Sequence, residues 1–358
     1  MSIFGRQLVT ESYEVQPSAE FIDATFEGLQ EILVESARES YQLNAGLYIS
    51  DVIMEEAVIE GAATPEVLLE SFVKDTWEKL KQAFQKMWEK VKGWYEKVKR
   101  WFSIYFTHGQ EFIKKYKNEL TAKNVKGFKY KGYVYTIGKG EGVVAGHIDT
   151  LKKELAESVD FNVDQFRSAD QEGSIRQHAD KDSYDTKEAK EDLLSKLGHA
   201  KESELLADVA KAFRNGADEP VEIEDFSGNS REEMIAWLEK GSEHLREVEK
   251  RQKELDDSFN RVLNSIKAAK AKLSGANDAD SGKFTAFATH KYDLSRYALS
   301  LMTSLNGVHV KAIQNATKEF EHVLKSFLNF KPAKEAFESI ESRETGADSI
   351  LEAALRQL

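Results

Sequence analysis

The residues of this sequence that could do chemistry are its histidines, its many carboxylates and one glycine-rich run. The eight histidines are scattered, and none forms the His-x-x-x-His or His-Glu-x-x-His pair that binds zinc from one face of a helix. His147-Ile148-Asp149 places a histidine two residues from an acid, which is more typical of an ordinary surface pair than of a metal site. The sequence therefore predicts no metal site.

The run Gly138-Lys139-Gly140-Glu141-Gly142 follows a predicted strand, as phosphate-binding loops do. It lacks both Gly-Lys-Ser/Thr and the helix-opening glycine of a dinucleotide fingerprint, so we expect a flexible loop. The chain has no cysteine and no Gly-x-Ser-x-Gly nucleophile elbow. Neighbouring acids such as Glu222 and Glu224 indicate little in a chain with 62 acidic residues. The sequence predicts no enzyme, no catalytic residue, no cofactor and no small-molecule substrate.

The dominant pattern is a heptad of apolar residues between Val73 and Tyr105. Apolar residues alternate at steps of four and three, which predicts an amphipathic helix that packs on other helices. Thr64-Pro65-Glu66 predicts that this helix begins near Pro65, and Thr107-His108-Gly109 predicts its end. The predicted interaction seam contains four of the five tryptophans and consists of Val73, Trp77, Leu80, Phe84, Trp88, Val91, Trp94 and Trp101.

Charge is distributed unevenly along the chain. Residues 1–70 carry 14 acidic side chains and two arginines, whereas residues 71–131 carry 16 basic and six acidic side chains. This polarity predicts either that the two segments neutralise each other or that one is directed at another partner. Three interpretations stay open for the basic helix: packing within this chain or on an identical copy, binding to a membrane surface, and contact with nucleic acid.

The middle of the chain alternates between helical and strand patterns. Residues 110–120 predict a second basic helix, residues 125–137 predict the best strand of the protein, and residues 221–223 predict a short strand beside it. Helical spacing covers residues 147–158 and residues 186–214, where an Arg-Asn-Gly turn follows. These elements predict a small α+β domain.

The heptad returns after residue 230, where Ser230 and Glu233 form a capping box. Two apolar runs separated by a glycine-rich break predict an antiparallel hairpin whose helices of about 40 residues form an arm about 60 Å long. No window of about 18 apolar residues predicts a membrane span. The predicted fold is mainly α, with long amphipathic helices, an antiparallel helical hairpin and a small α+β middle domain. The predicted units are an acidic helical leader (1–70), a basic tryptophan-rich helix (71–106), an α+β domain (107–229), the hairpin (230–331) and a C-terminal tail (332–358).

One order of features is specific enough to compare with a known family. The basic tryptophan-rich helix leads through residues 114–120 to the tyrosine-rich run 128–133, a helix ends at residues 213–216, and long polar coiled helices follow. This order resembles the internal, head-associated structural proteins of large contractile-tailed bacteriophages. The resemblance implies a non-enzymatic virion protein, made in the host cytoplasm and located inside or attached to the head. It implies helix association with other virion proteins or with itself. Packaged DNA or anionic lipid stays a candidate partner of the basic helix because of the charge of that helix.

The resemblance also implies a processing site. Prohead proteases of such phages resemble one another in cutting after Leu or Ile, any residue, then Glu. Leu68-Leu69-Glu70 fits where the acidic leader gives way to the basic helix, which makes Glu70 the candidate processing site. The hypothesis is that residues 1–70 are a removable leader that masks the basic face. The alternative function is a membrane-surface-active helical protein directed at the host.

Overall fold

The computed structural model describes residues 65–125, 127–159, 186–224, 226–273 and 278–330, so the predicted leader up to residue 64 and the predicted tail lie outside the described residues. The described chain is mainly helical with a small two-stranded antiparallel sheet, as the sequence predicts. Its elements are α1 (Pro65–Ala122), β1 (Tyr130–Gly132), α2 (Ile137–Val159), α3 (Thr186–Lys196), α4 (Glu202–Phe213), β2 (Val221–Ile223), α5 (Gly228–Glu239), α6 (Gly241–Leu273) and α7 (Asp278–Asn329).

Helix α1 begins at Pro65 as predicted, but its predicted end at residues 107–109 is wrong, because it continues without a break to Ala122. Gly109 lies inside the helix and faces Leu238 of α5. The apolar face continues beyond it with Phe112 and Ile113, which are both buried. One interior glycine costs about 1 kcal/mol of helix stability, and burial of two large side chains outweighs that cost.

Helix α6 packs antiparallel to α1. Near the middle of α1, Trp88 stacks on Phe259 of α6 with ring centroids 4.7 Å apart. Further along α1, Phe106 covers Gly241 at the start of α6. A rising residue number in α1 therefore meets a falling residue number in α6. The heptad that the sequence reads as continuous is broken at Lys240, which caps α5 just before this glycine.

Helix α7 packs parallel to α1, and hence antiparallel to α6. Trp77 meets Tyr292 near the start of the described side chains of α7, at a centroid distance of 5.9 Å. At the other end, Lys123 Nζ donates hydrogen bonds to the Leu328 and Phe330 carbonyls at 2.6 and 2.9 Å. The predicted antiparallel helix pair is present, and α1 and α2 both pack on it.

Helix α2 packs antiparallel to α7. The hydroxyls of Ser158 and Ser295 lie 2.9 Å apart near one end of α2, and Glu141 meets His309 near the other. The four long helices α1, α2, α6 and α7 thus share one hydrophobic core, which also takes in residues of α3 and α4. This core crosses the boundaries of the predicted units at residues 106 and 229, and the division into those units stays a prediction.

The predicted long strand is wrong outside its centre. Only Tyr130–Gly132 pairs with Val221–Ile223, the predicted second strand, with Lys131 opposite Glu222. The chain after β1 is instead tied to α7, because Glu319 accepts hydrogen bonds from the Tyr133 amide at 2.7 Å and from the Tyr135 hydroxyl at 3.1 Å. These bonds replace the strand pairing that the alternating pattern predicts.

The glycine-rich run is the first part of α2, so the predicted flexible loop is also wrong. A Cβ added at Gly140 would overlap the ring of Phe213, which is fully buried at the end of α4.

The N-terminal cap of α5 lies one turn before the predicted capping box of Ser230 and Glu233. Ser227 is the N-cap residue of α5, and its side chain accepts a hydrogen bond from the Ser230 amide at 3.2 Å.

Two glycines of α2 should respond to alanine with opposite signs. Gly140→Ala should lower the free energy of unfolding by about 1–3 kcal/mol, because the new methyl group overpacks Phe213. Gly142→Ala, on an exposed position with nothing within 4 Å, should raise it by about 0.5–1 kcal/mol through helix propensity. Urea unfolding of both variants measures the difference. Equal effects would contradict the close packing at Gly140.

Candidate functional site

The predicted interaction seam of α1 lies inside the chain's own fold. Seven of its residues have side chains that are at most 5% exposed. The side chains of Val73 and of the candidate processing residue Glu70 are outside the described part of the structure, although both residues lie in α1. The seven buried seam residues are Trp77, Leu80, Phe84, Trp88, Val91, Trp94 and Trp101.

Aromatic rings of the seam meet specific partners on the facing helices and on α1 itself. Trp77 meets Tyr292 edge to face, at an interplanar angle of 81°. Trp101 stacks on Tyr105 of its own helix with centroids 4.7 Å apart. Such pairs contribute about 0.5–1.5 kcal/mol each beyond the apolar area they bury. The aromatic side chains therefore hold α1 to α6 and α7.

The outer face of α1 is polar. Ile104, at 44% exposure, is the large hydrophobic residue that the described part of α1 leaves exposed. An interfacial membrane helix needs a continuous apolar face that is free to enter lipid, and in this helix that face is covered. Within the described ranges, no helix combines the length and hydrophobicity needed to cross a bilayer.

A layer of polar side chains crosses the bundle beside the seam. His309 of α7 is 1% exposed, and its Nε2 lies 3.1 Å from a carboxylate oxygen of Glu141 of α2. The His309 ring also stacks on Phe213 at a centroid distance of 5.7 Å. On α6, Arg251 Nη1 donates a hydrogen bond to Glu254 at 3.1 Å. We use the name polar layer for the following residues: Tyr95, Glu141, His244, Arg251, Glu254, Asn306 and His309.

Burial and pairing shift the pKa values of this layer. The hydrogen bond from His309 lowers the pKa of Glu141, against the opposing effect of burial, and the positive field of Arg251 adds to the lowering. Burial lowers the pKa of His244, which packs against the Trp237 ring at a centroid distance of 3.7 Å. Burial also raises the pKa of Tyr95 above its ordinary value. The fold thus favours a charged Glu141 and a neutral His244.

The histidine–carboxylate pair has the orientation of a general base held by an acid, but its surroundings are closed. A nucleophilic dyad needs a hydroxyl or thiol within hydrogen-bond reach of the second ring nitrogen. The hydrogen-bonding partner of His309 in the described structure is Glu141, and Phe213 covers the ring face. The arrangement is suited to joining α2 and α7 in one register, because breaking the pair would leave the buried His309 ring without the partner that Glu141 provides.

His147 and Asp149, which the sequence analysis considered as a metal-binding pair, do not form a common site. His147 is half-buried and meets the His199 ring at 6.0 Å, and its pKa is lowered by burial and by the charge of His199. Asp149 is exposed and lies 3.9 Å from Lys152. Among the residues whose positions are described, no group of three or more His, Asp or Glu side chains could hold a metal ion.

Sequence reasoning missed the polar layer. Glu141 lies inside the run interpreted as a loop, and His309 lies 168 residues away in the sequence. The available signal was the presence of Asn306 and His309 in the long apolar run of α7, where both are almost fully buried. A polar residue at a core position predicts a polar partner, but it does not say which helix supplies that partner.

The fold and its interior define a helical bundle that is held by an aromatic seam and a buried polar layer. No protein-family model, no curated protein and no solved structure matches the chain.

Stability should fall as the pH falls from 7.5 to 5.5. The pKa of His244 is lowered from 6.5 in the folded chain, so the unfolded chain binds more protons in this range and acidification favours unfolding. His244→Gln should therefore lose less thermal stability between the two pH values than the unchanged protein does. His108→Gln, at an exposed position of α1, is the control and should behave like the unchanged protein. The same pH dependence in the His244 variant would contradict this account.

Proposed function

We propose that this chain is a non-enzymatic structural protein of a tailed-phage virion, located inside or attached to the head. The observation that supports the proposal best is that several polar groups of the described interior join one helix to another, as Ser158 does with Ser295 and Glu141 with His309. The segments behind the family resemblance also fit it, because residues 114–117 lie on the exposed end of α1 and residues 213–216 end α4 in a turn. A helical bundle of this kind suits a protein that packs against other proteins in a particle.

In this proposal, contacts with other virion proteins or with a second copy are made by the outer faces of the bundle. The aromatic seam is filled by α6 and α7 of the same chain, so it is not free to accept a partner helix. The same burial weighs against the alternative of a membrane-surface-active protein, which would need those aromatic residues at the lipid interface.

The removable leader is part of the proposal. Glu70 is the sixth residue of α1, so cleavage there requires the first turns of the helix to open. Helix ends open at small free-energy cost, and the seam residues from Trp77 onward would stay in place. Removal of residues 1–70 would take away 14 acidic side chains and two arginines, and would leave the basic helix with less acidic charge nearby.

Mass spectrometry of purified particles tests the proposed function. Particles of the phage that encodes this chain are banded in a density gradient, and half are treated with trypsin before lysis. We expect peptides of this chain in the untreated particle band. Their survival after trypsin would indicate a position inside the head, which shields its contents, and their loss a position attached to its outside. An exposed tail protein of the same particles is the control for digestion. Absence of the chain from the band would contradict the proposal.

Intact-mass analysis of the chain from those particles tests the leader separately. Cleavage after Glu70 predicts a chain whose first residue is Ser71. A full-length mass would reject the removable leader and leave the virion location intact.

A further inference from the structure

The outer face of α1 carries a row of positive charge. Positions 79, 86, 93, 100, 107 and 114 are seven residues apart, and all six are exposed. Four of them are basic and none is acidic. The row extends about 50 Å along the helix axis, at about 1.5 Å per residue. We call its basic members the cationic row: Lys79, Lys86, Arg100 and Lys114.

The packing of α1 keeps this row on the outside of the bundle. Each row position follows a covered position by two residues, as Lys79 follows Trp77 and Lys86 follows Phe84. Two residues correspond to about 200° around an α-helix. Because both sets repeat every seven residues, the row stays opposite the face that packs on α6 and α7 and, beyond Phe106, on α5 and α7.

Two of the acids beside the row are paired with lysines outside it, whereas Glu111, exposed between row positions 107 and 114, offsets part of the positive charge. Glu89 and Glu96 lie on one flank of the row, and each forms an ion pair at 2.5 Å with the lysine three residues later, Lys92 or Lys99. On the other flank, Lys97 is exposed and adds to the positive charge. The outer face of α1 therefore has a net positive potential that is aligned with the helix axis.

An extended positive ridge without an exposed apolar face fits a polyanion better than a membrane. DNA presents one negative charge per about 1.7 Å of helix axis, and lysine and arginine side chains bind its phosphates without reading sequence. A lipid surface would also attract the charges, but the aromatic residues that would anchor α1 in the interface are buried. Of the two classes of partner, the observations favour nucleic acid.

We propose that the cationic row, together with Lys97, is a sequence-independent contact surface for the phosphate backbone of double-stranded DNA. The partner rests on the proposed function, since packaged DNA is the polyanion next to a protein inside the head. Five phosphate contacts would give a slope of log K against log salt of about −4.5. Removal of the four row charges would make that slope shallower by up to about 3.6.

The test compares two variants of equal charge, each as the full-length chain and as the processed chain that begins at Ser71. The row variant carries Lys79→Gln, Lys86→Gln, Arg100→Gln and Lys114→Gln. The control variant carries the same charge change at exposed positions on α2 and α6, as Lys139→Gln, Lys153→Gln, Lys250→Gln and Lys253→Gln. Binding to a fluorescent random-sequence duplex of about 30 base pairs is measured by anisotropy between about 50 and 200 mM salt. Circular dichroism checks that both variants keep their helix content.

The row variant should bind the duplex at least about tenfold more weakly at about 100 mM salt and with a shallower salt slope. The control variant should stay within about twofold of the unchanged chain, because it keeps all the proposed phosphate contacts. Equal weakening of the two variants, or no salt-dependent binding by the unchanged chain in either its full-length or its processed form, would overturn the inference. Tighter binding to anionic vesicles than to the duplex would also overturn it. If the chain is present in particles but does not bind DNA, only this inference is rejected. If the chain binds DNA through the cationic row but is absent from particles, the proposed function is rejected.

Discussion

The rest of the structure depends on the burial of the aromatic seam of α1 against α6 and α7. Truncating one buried tryptophan or phenylalanine to alanine typically costs about 3–5 kcal/mol, whereas an exposed ion pair contributes about 0–1 kcal/mol. Each buried aromatic residue of the seam therefore contributes more to the stability of the fold than an exposed ion pair does. Because α1 runs antiparallel to α6 and parallel to α7, one helix fixes the relative position of the two helices that form the centre of the bundle. Lys123 and Arg231 then join the ends, since Arg231 donates a hydrogen bond to the Lys123 carbonyl at 2.8 Å.

The polar layer and the close glycines add specificity that apolar burial cannot supply. An apolar face tolerates sliding by one turn, but the pair between Glu141 and His309 is satisfied in one register. Gly140 and Gly241 act in the same direction, because each accepts an aromatic ring where a side chain would collide. The interior is thus used for holding helices together. The outer face of α1 is charged. Both the virion proposal and the DNA proposal assume that the interior joins the helices of the bundle and that the outer faces contact partners.

Much of the helical architecture could be predicted from the period of the apolar residues. The start of α1 at Pro65, the short second strand at residues 221–223 and the turn after Phe213 all follow from local signals that the structure confirms. The errors occurred where tertiary packing overrides a local signal. Gly109 and the run from Gly138 to Gly142 read as helix ends or loops, yet they lie in helices, where Gly109 packs on Leu238 and Gly140 on Phe213. The pairing of Glu141 with His309 could not be predicted, since helical periodicity gives the buried face of each helix but not its partner.

The central claim is that the seam is filled by the chain's own helices and not by another molecule. Tryptophan fluorescence of the full chain on dilution tests it most directly, because four of the five tryptophans lie in the seam. The account predicts a blue-shifted emission maximum and weak quenching by acrylamide that do not change down to concentrations at which the chain is monomeric. Red-shifted, strongly quenched emission in the monomer, turning blue as the concentration rises, would contradict it.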